Sequence, residues 1–154
     1  MKMTGSKKFL SLLLCIVLIA TAALFTTGCN GKTNGGETKA DVSVTYAPSD
    51  EVYVLGNGKT VFDFTVVFED DAKTCFEIHT DKTTVGDALM ELGLIGGDEG
   101  PYGLYVKTVN GYTYDYDADG KYWSFYIDGE YAMSGIDLTA IEPGKSYMLK
   151  VEKA

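Results

Sequence analysis

One helical stripe sits in a chain whose other apolar residues alternate, and that stripe limits the folds available. Val85, Ala88, Leu89 and Leu92 fall at i, i+3, i+4 and i+7, one face of a 3.6-residue helix. Thr84 with Asp87 three residues on forms a capping-box pattern, and Gly93 is placed to end the helix with Leu94 as the apolar residue after it. The spacing predicts a helix over about Thr84–Leu92. A single helix can cover only one face of a sheet, so the rest of the chain has to be read with that in mind.

On either side the period is two. Phe62, Phe64, Val66 and Phe68 recur at period two with Asp63 and Thr65 between them, and Thr74, Phe76 and Ile78 alternate with Cys75, Glu77 and His79; Glu69-Asp70-Asp71 separates the runs as a polar turn. This predicts a hairpin with a phenylalanine-rich inner face. Further on, Asn110-Gly111 joins Leu104–Val109 to Tyr112–Tyr116, and Asp128-Gly129 joins Tyr122–Ile127 to Glu130–Met133, both strong two-residue turn signals. Tyr147, Leu149 and Val151 alternate after Pro143-Gly144 as a last strand. A weaker alternation of Val42, Val44 and Tyr46 suggests a first strand, and Gly56-Asn57-Gly58 reads as a turn, not a phosphate cradle. The pattern is α+β, a β-grasp-like arrangement with a mixed or antiparallel sheet and one covering helix.

The first residues stand outside that pattern. Lys2, Lys7 and Lys8 precede an uncharged apolar run from Phe9 to Phe25, followed by Thr26-Thr27-Gly28-Cys29. The layout is that of a secretory signal, and the run is also at the short edge of a membrane-spanning helix. A small residue followed by cysteine after such a run resembles the lipobox of bacterial lipoproteins, in which the thiol is acylated and becomes the new N-terminus. The expectation is therefore a lipoprotein signal peptide over residues 1–28, a glycine-rich flexible tether over 29–41 carrying lipidated Cys29, and one domain over 42–154. Two or three acyl chains suffice for stable attachment, which places the domain on the extracellular face of a cell membrane. Apart from Cys29, only Cys75 remains after the leader, so no internal disulfide is available and stability must come from the core.

Charge removes one class of partner. The chain has 22 acidic residues against 13 basic ones, all lysine, for a net charge of −9. Nucleic-acid binding needs clustered positive charge and favours arginine, so nucleic acid is excluded as a partner. One histidine and three cysteines leave little for a closed metal site. Asp115, Asp117 and Asp119 before Gly120 open like a calcium loop, but the twelfth position is Tyr126 where a bidentate glutamate is needed; the alternative is an acidic turn. Cys75 and His79 are too far apart along one strand for nucleophilic catalysis, and the reading is non-enzymatic.

Tyrosine is the compositional anomaly. Nine of the 11 tyrosines lie between Tyr102 and Tyr147. Tyr122 and Tyr126 share one strand face while Trp123, Phe125 and Ile127 share the other, so a face the helix does not cover is aromatic as well. Tyr122, Trp123, Phe125, Tyr126 and Tyr131 are the candidate ligand-binding residues, against the plain alternative that tyrosine is a good strand former.

The segments TTVGDALMELGL, KYWSFYIDGEYAMSGID and IEPGKSY, with the glycine-rich bend around Gly100, resemble the transcobalamin-like C-terminal domain family of bacterial lipoproteins, catalogued as a domain of unknown function. The resemblance runs from about Val61 to Val151. It implies the small β-domain that closes over the corrin in vertebrate cobalamin carriers, and with it a corrinoid or another flat small molecule as ligand. A surface protein as partner, with no small molecule, is the other expectation.

Overall fold

The computed structural model describes residues 45–154. The leader, the tether with Cys29, and Val42 and Val44 of the suggested first strand lie outside the described residues. Tyr46 is described, and it is not in a strand.

Eight strands and two short helices follow a first strand, β1 (Val52–Gly56), in the order β2 (Thr60–Val67), β3 (Lys73–Thr80), α1 (Val85–Glu91), β4 (Ile95–Gly100), β5 (Gly103–Val109), β6 (Tyr112–Thr113), α2 (Tyr116–Asp119), β7 (Lys121–Ile127), β8 (Glu130–Tyr131) and β9 (Ser146–Lys153). Six strands form an open mixed sheet in the order β1-β3-β2-β9-β7-β8, and β4-β5-β6 form a second, antiparallel sheet. The domain is mostly β, with two sheets where the sequence pattern suggested one. β1 runs parallel to β3 and β2 parallel to β9.

The helix forms where the stripe places it. The Asp87 amide donates to the Thr84 hydroxyl at 3.2 Å. The carboxylate half of the capping box is not formed among the described residues. At the other end Gly93 has φ +65°, and the amides of Gly93 and Leu94 donate to the carbonyls of Met90 and Leu89, the paired bonds of a Schellman cap. Val85, Ala88 and Leu89 are buried in one core with Phe62, Phe64, Phe76, Ile78, Tyr147 and Leu149 from the large sheet. Ile95, Val106 and Val109 of the small sheet join that core, so α1 and the small sheet together cover the inner face.

Both predicted two-residue turns are present. Val109 pairs with Tyr112 and Ile127 with Glu130, and the four turn residues all have positive φ, as a type I′ turn requires. Asn110 does more than turn the chain. It is fully buried, its Oδ1 accepts from the Tyr46 amide at 2.7 Å, and its Nδ2 donates to the Tyr46 carbonyl at 2.8 Å. A side-chain amide thus pairs with Tyr46 as a neighbouring strand would.

The segment DYDADG is more than the acidic turn at Asp119-Gly120. It folds as one helical turn, α2, with Asp115 as N-cap and Gly120 closing it at φ +63°.

Candidate functional site

Alternation along β7 decides which aromatic rings can meet a ligand. Trp123, Phe125 and Ile127 point into the core, opposite Val151, Leu149 and Tyr147 of β9. Trp123 is 7% exposed, and its Nε1 donates to the Lys107 carbonyl of the small sheet at 3.2 Å. Tyr122, Ser124 and Tyr126 point to the opposite, uncovered face, and Tyr131 joins them by pairing with Tyr126 across the hairpin. The five candidate residues are therefore divided. Tyr122, Tyr126 and Tyr131 form one surface, whereas Trp123 and Phe125 belong to the core and are not presented with them.

The center of that surface is a residue the sequence did not single out. Glu152 of β9 lies directly opposite Tyr122. Its Oε2 accepts from the hydroxyls of Ser124 at 2.7 Å and Tyr122 at 3.3 Å, and its Oε1 accepts from the Tyr126 hydroxyl at 2.5 Å. Ser124 is 1% exposed although it faces outward, so the two tyrosine rings and Glu152 close over it. Tyr126 and Tyr131 meet edge to face at 5.6 Å, and Tyr116 and Tyr122 are tilted at 6.1 Å. Two aromatic corners thus flank one carboxylate.

These bonds set the charge state. Hydrogen bonds from Tyr126, Ser124 and Tyr122 hold the Glu152 carboxyl below its ordinary 4.5, and the same bond pushes Tyr126 up to about 12. A carboxyl lowered by folding stabilises the folded state above the unfolded value, and that contribution is lost as pH falls through the lowered folded value. Thermal unfolding followed from pH 6 to pH 2.5 should show Tm falling below about 4.5, with a smaller fall in Glu152→Gln. An identical profile in that variant would show that Glu152 carries none of the dependence.

Beside Tyr122 opens a shallow groove of about 410 Å³ lined by Tyr105, Tyr116, Asp117, Tyr122 and Ala154. α2 supplies Tyr116, which is 51% exposed. Lys107 pins this corner, with Nζ 2.6 Å from Asp115 and 3.0 Å from Asp98, and lies over the Tyr105 ring at 5.6 Å. The remaining C-terminal strand closes on the turn, the Ala154 amide donating to the Gly120 carbonyl. A second aromatic cleft of about 350 Å³, rimmed by Glu69 and Asp70, lies between Phe68, Tyr112 and Tyr114.

The three aspartates of α2 do not converge. Asp115 caps the turn by accepting from the amides of Asp117 and Ala118 and pairs with Lys107, while Asp119 accepts from the Asp115 amide. Among the described residues no group of three His, Cys, Asp or Glu side chains is placed to hold a metal ion. Elsewhere on the uncovered face, His79 Nε2 lies 2.7 Å from Glu77.

Sequence reasoning missed Tyr105, Tyr116 and Glu152. The tyrosines were visible as part of the dense run after Tyr102, but period-two alternation along one strand cannot collect residues from β5, α2 and β7 onto one surface. Glu152 needed the β7–β9 register, which no local signal carries.

Residues 82–153 match the model of a family described as a domain of unknown function, DUF4430. No curated protein shows significant similarity to the chain. Among solved structures, a proposed metal-binding protein from Ruminococcus gnavus ATCC 29149 is 28% identical at a TM-score of 0.59, over 62% of this chain and 99% of its own. Haptocorrin in complex with Cbi is 14% identical at a TM-score of 0.47, over 64% of this chain and 27% of its own. The chain is thus similar, over most of its described domain, to a small bacterial protein of nearly matching extent.

Proposed function

We propose that this chain is a non-enzymatic binding domain, held by lipid at Cys29 on the outer face of a cell membrane, whose tyrosine surface receives a small flat ligand. The observation that carries the reading is the set of rings brought together from β5, α2 and β7, with Tyr105, Tyr116 and Tyr122 lining one groove. Tyrosine gives a large rigid contact with a polar tip at small entropic cost, which suits a recognition surface more than a solvated one. A corrinoid is the candidate ligand, on the resemblance to the transcobalamin-like C-terminal domains. Metal binding, proposed for the Ruminococcus gnavus protein, has no matching donor set among the described residues here.

Calorimetric titration of the protein with cobinamide, haemin and a set of glycans tests the reading. One class should bind, and Tyr116→Ala and Tyr122→Ala should each weaken it about tenfold, the loss of one stacking contact of about 1–1.5 kcal/mol. Mass spectrometry of the protein from its source membrane should find Cys29 acylated. A second reading, a protein partner, is favoured by the edge strand β1, whose Val52 and Val54 are 56% and 63% exposed. Under it none of the three ligand classes binds, and a partner is captured that Val54→Lys abolishes.

A further inference from the structure

The tyrosine surface holds a charge that a neutral flat ligand leaves unused. Glu152 accepts three hydroxyl donors, Tyr122, Ser124 and Tyr126, and none of them is cationic. Among the described residues no lysine forms an ion pair with it; Lys150, on the same face two residues earlier, pairs with Asp71 at 3.8 Å and acts on Glu152 only through its charge. The hydrogen bonds keep the carboxyl ionised, with a smaller favourable contribution from the Lys150 charge, so a negative charge with no ion-pair partner in contact stands between two aromatic corners.

The hydroxyls of Tyr122 and Tyr126 are committed to Glu152. What these residues still offer a ligand is the electron-rich faces of their rings. A phenol that donates a hydrogen bond to a carboxylate while keeping its proton has a ring still richer in electrons. Such faces attract cations within about 6 Å of the ring centroid. Three of the roughly four acceptor positions of the carboxylate are filled. A cation that brings N–H donors would have to compete for them, whereas one without donors would not. The net charge of −9 draws cations toward the whole surface.

We infer that the surface formed by Tyr122, Tyr126 and Glu152 binds an organic cation of the trimethylammonium class, with Glu152 as counter-ion and the tyrosine rings as walls. The inference rests on the binding-surface reading above and names the chemistry of the ligand's charged group. Tyr116 and Tyr131 extend the walls through their tilted contacts with Tyr122 and Tyr126.

The test is an NMR titration of the full chain in a nonionic maltoside detergent. The probes are choline chloride and 3,3-dimethylbutanol, a neutral molecule of the same shape. Choline should shift the Tyr122, Ser124 and Glu152 resonances saturably, and the alcohol should bind at least about tenfold more weakly because it lacks the cation–π and ionic attraction. Glu152→Gln, which keeps a hydrogen-bonding side chain and removes the charge, should weaken choline about tenfold in a protein that stays folded at 25 °C and pH 7, with a Tm lowered by the lost carboxylate contribution. Tyr122→Leu should weaken it to a similar degree. Equal affinity for choline and the alcohol, unchanged choline affinity in Glu152→Gln, or no saturable shift would each overturn the inference. If choline fails while cobinamide, haemin or a glycan binds in a Tyr122-dependent way, only the cation inference falls. If all of them fail, the binding-surface reading falls with it.

Discussion

Asn110→Ala will destabilise the domain by about 3 kcal/mol, from two sources of about equal size. Asn110 has φ +49°, a left-handed conformation that costs alanine roughly 1–2 kcal/mol. Its amide also satisfies both backbone groups of Tyr46 from a fully buried position, and removing it leaves them unpaired. Tyr46 is itself a packing residue, with its ring 4.9 Å from Tyr53 and 5.4 Å from Phe76. Asn110→Gly separates the two sources. It relieves the conformational cost, keeps the hydrogen-bond loss, and should fall about midway between wild type and alanine. Urea unfolding of the three proteins measures this. If alanine and glycine are equally destabilised, conformation contributes nothing and the hydrogen bonds carry the whole effect; a loss under about 1 kcal/mol in alanine would mean that the amide does not hold the Tyr46 segment.

The same residue shows what was legible from sequence. Asn110-Gly111 and Asp128-Gly129 announced their hairpins because few residues accept positive φ, and both turns are where the dipeptides put them. Helix α1 was legible for a comparable reason, its cap, stripe and terminal glycine all being local features. The phenylalanine alternation of β2 and β3 gave their inner face correctly. That Asn110 also docks a segment 64 residues away was not legible, because nothing near Tyr46 in sequence marks it as a partner.

Elements that exist only through pairing escaped the reading. β1 is an edge strand parallel to β3, and β2 lies parallel to β9 across most of the domain; neither arrangement leaves a turn signature. β4 has the sequence IGGDEG, without alternation, and is a strand because β5 supplies a partner. At Gly97 the register shifts, and a side chain there would run into the Tyr105 carbonyl. The bend expected around Gly100 is present, as the Pro101-Tyr102 turn that joins β4 to β5. The tyrosine surface was half legible for the same reason: alternation separated the two faces of β7, but Glu152, Tyr105 and Tyr116 reach that surface only through tertiary pairing.

Trp123 supplies the sharpest separation between core and site. Its ring packs against Phe68 at 6.2 Å and Tyr114 at 5.5 Å, and its Nε1 bond to Lys107 ties β7 of the large sheet to β5 of the small one. Trp123→Ala should cost about 3–5 kcal/mol, the range for a large buried aromatic, because it leaves both a cavity and an unpaired Lys107 carbonyl. Trp123→Phe keeps most of the volume and should cost about half as much. Tyr122→Ala, one residue away on the half-exposed face, should cost about 1 kcal/mol or less while it weakens the ligand. Urea unfolding and calorimetric titration of the three variants read both quantities. Neighbouring residues of one strand are then expected to divide cleanly, Trp123 moving stability and Tyr122 moving affinity. The opposite result, Trp123→Ala losing ligand at unchanged stability, would move the binding surface to the Phe68–Tyr114 cleft against which that ring rests.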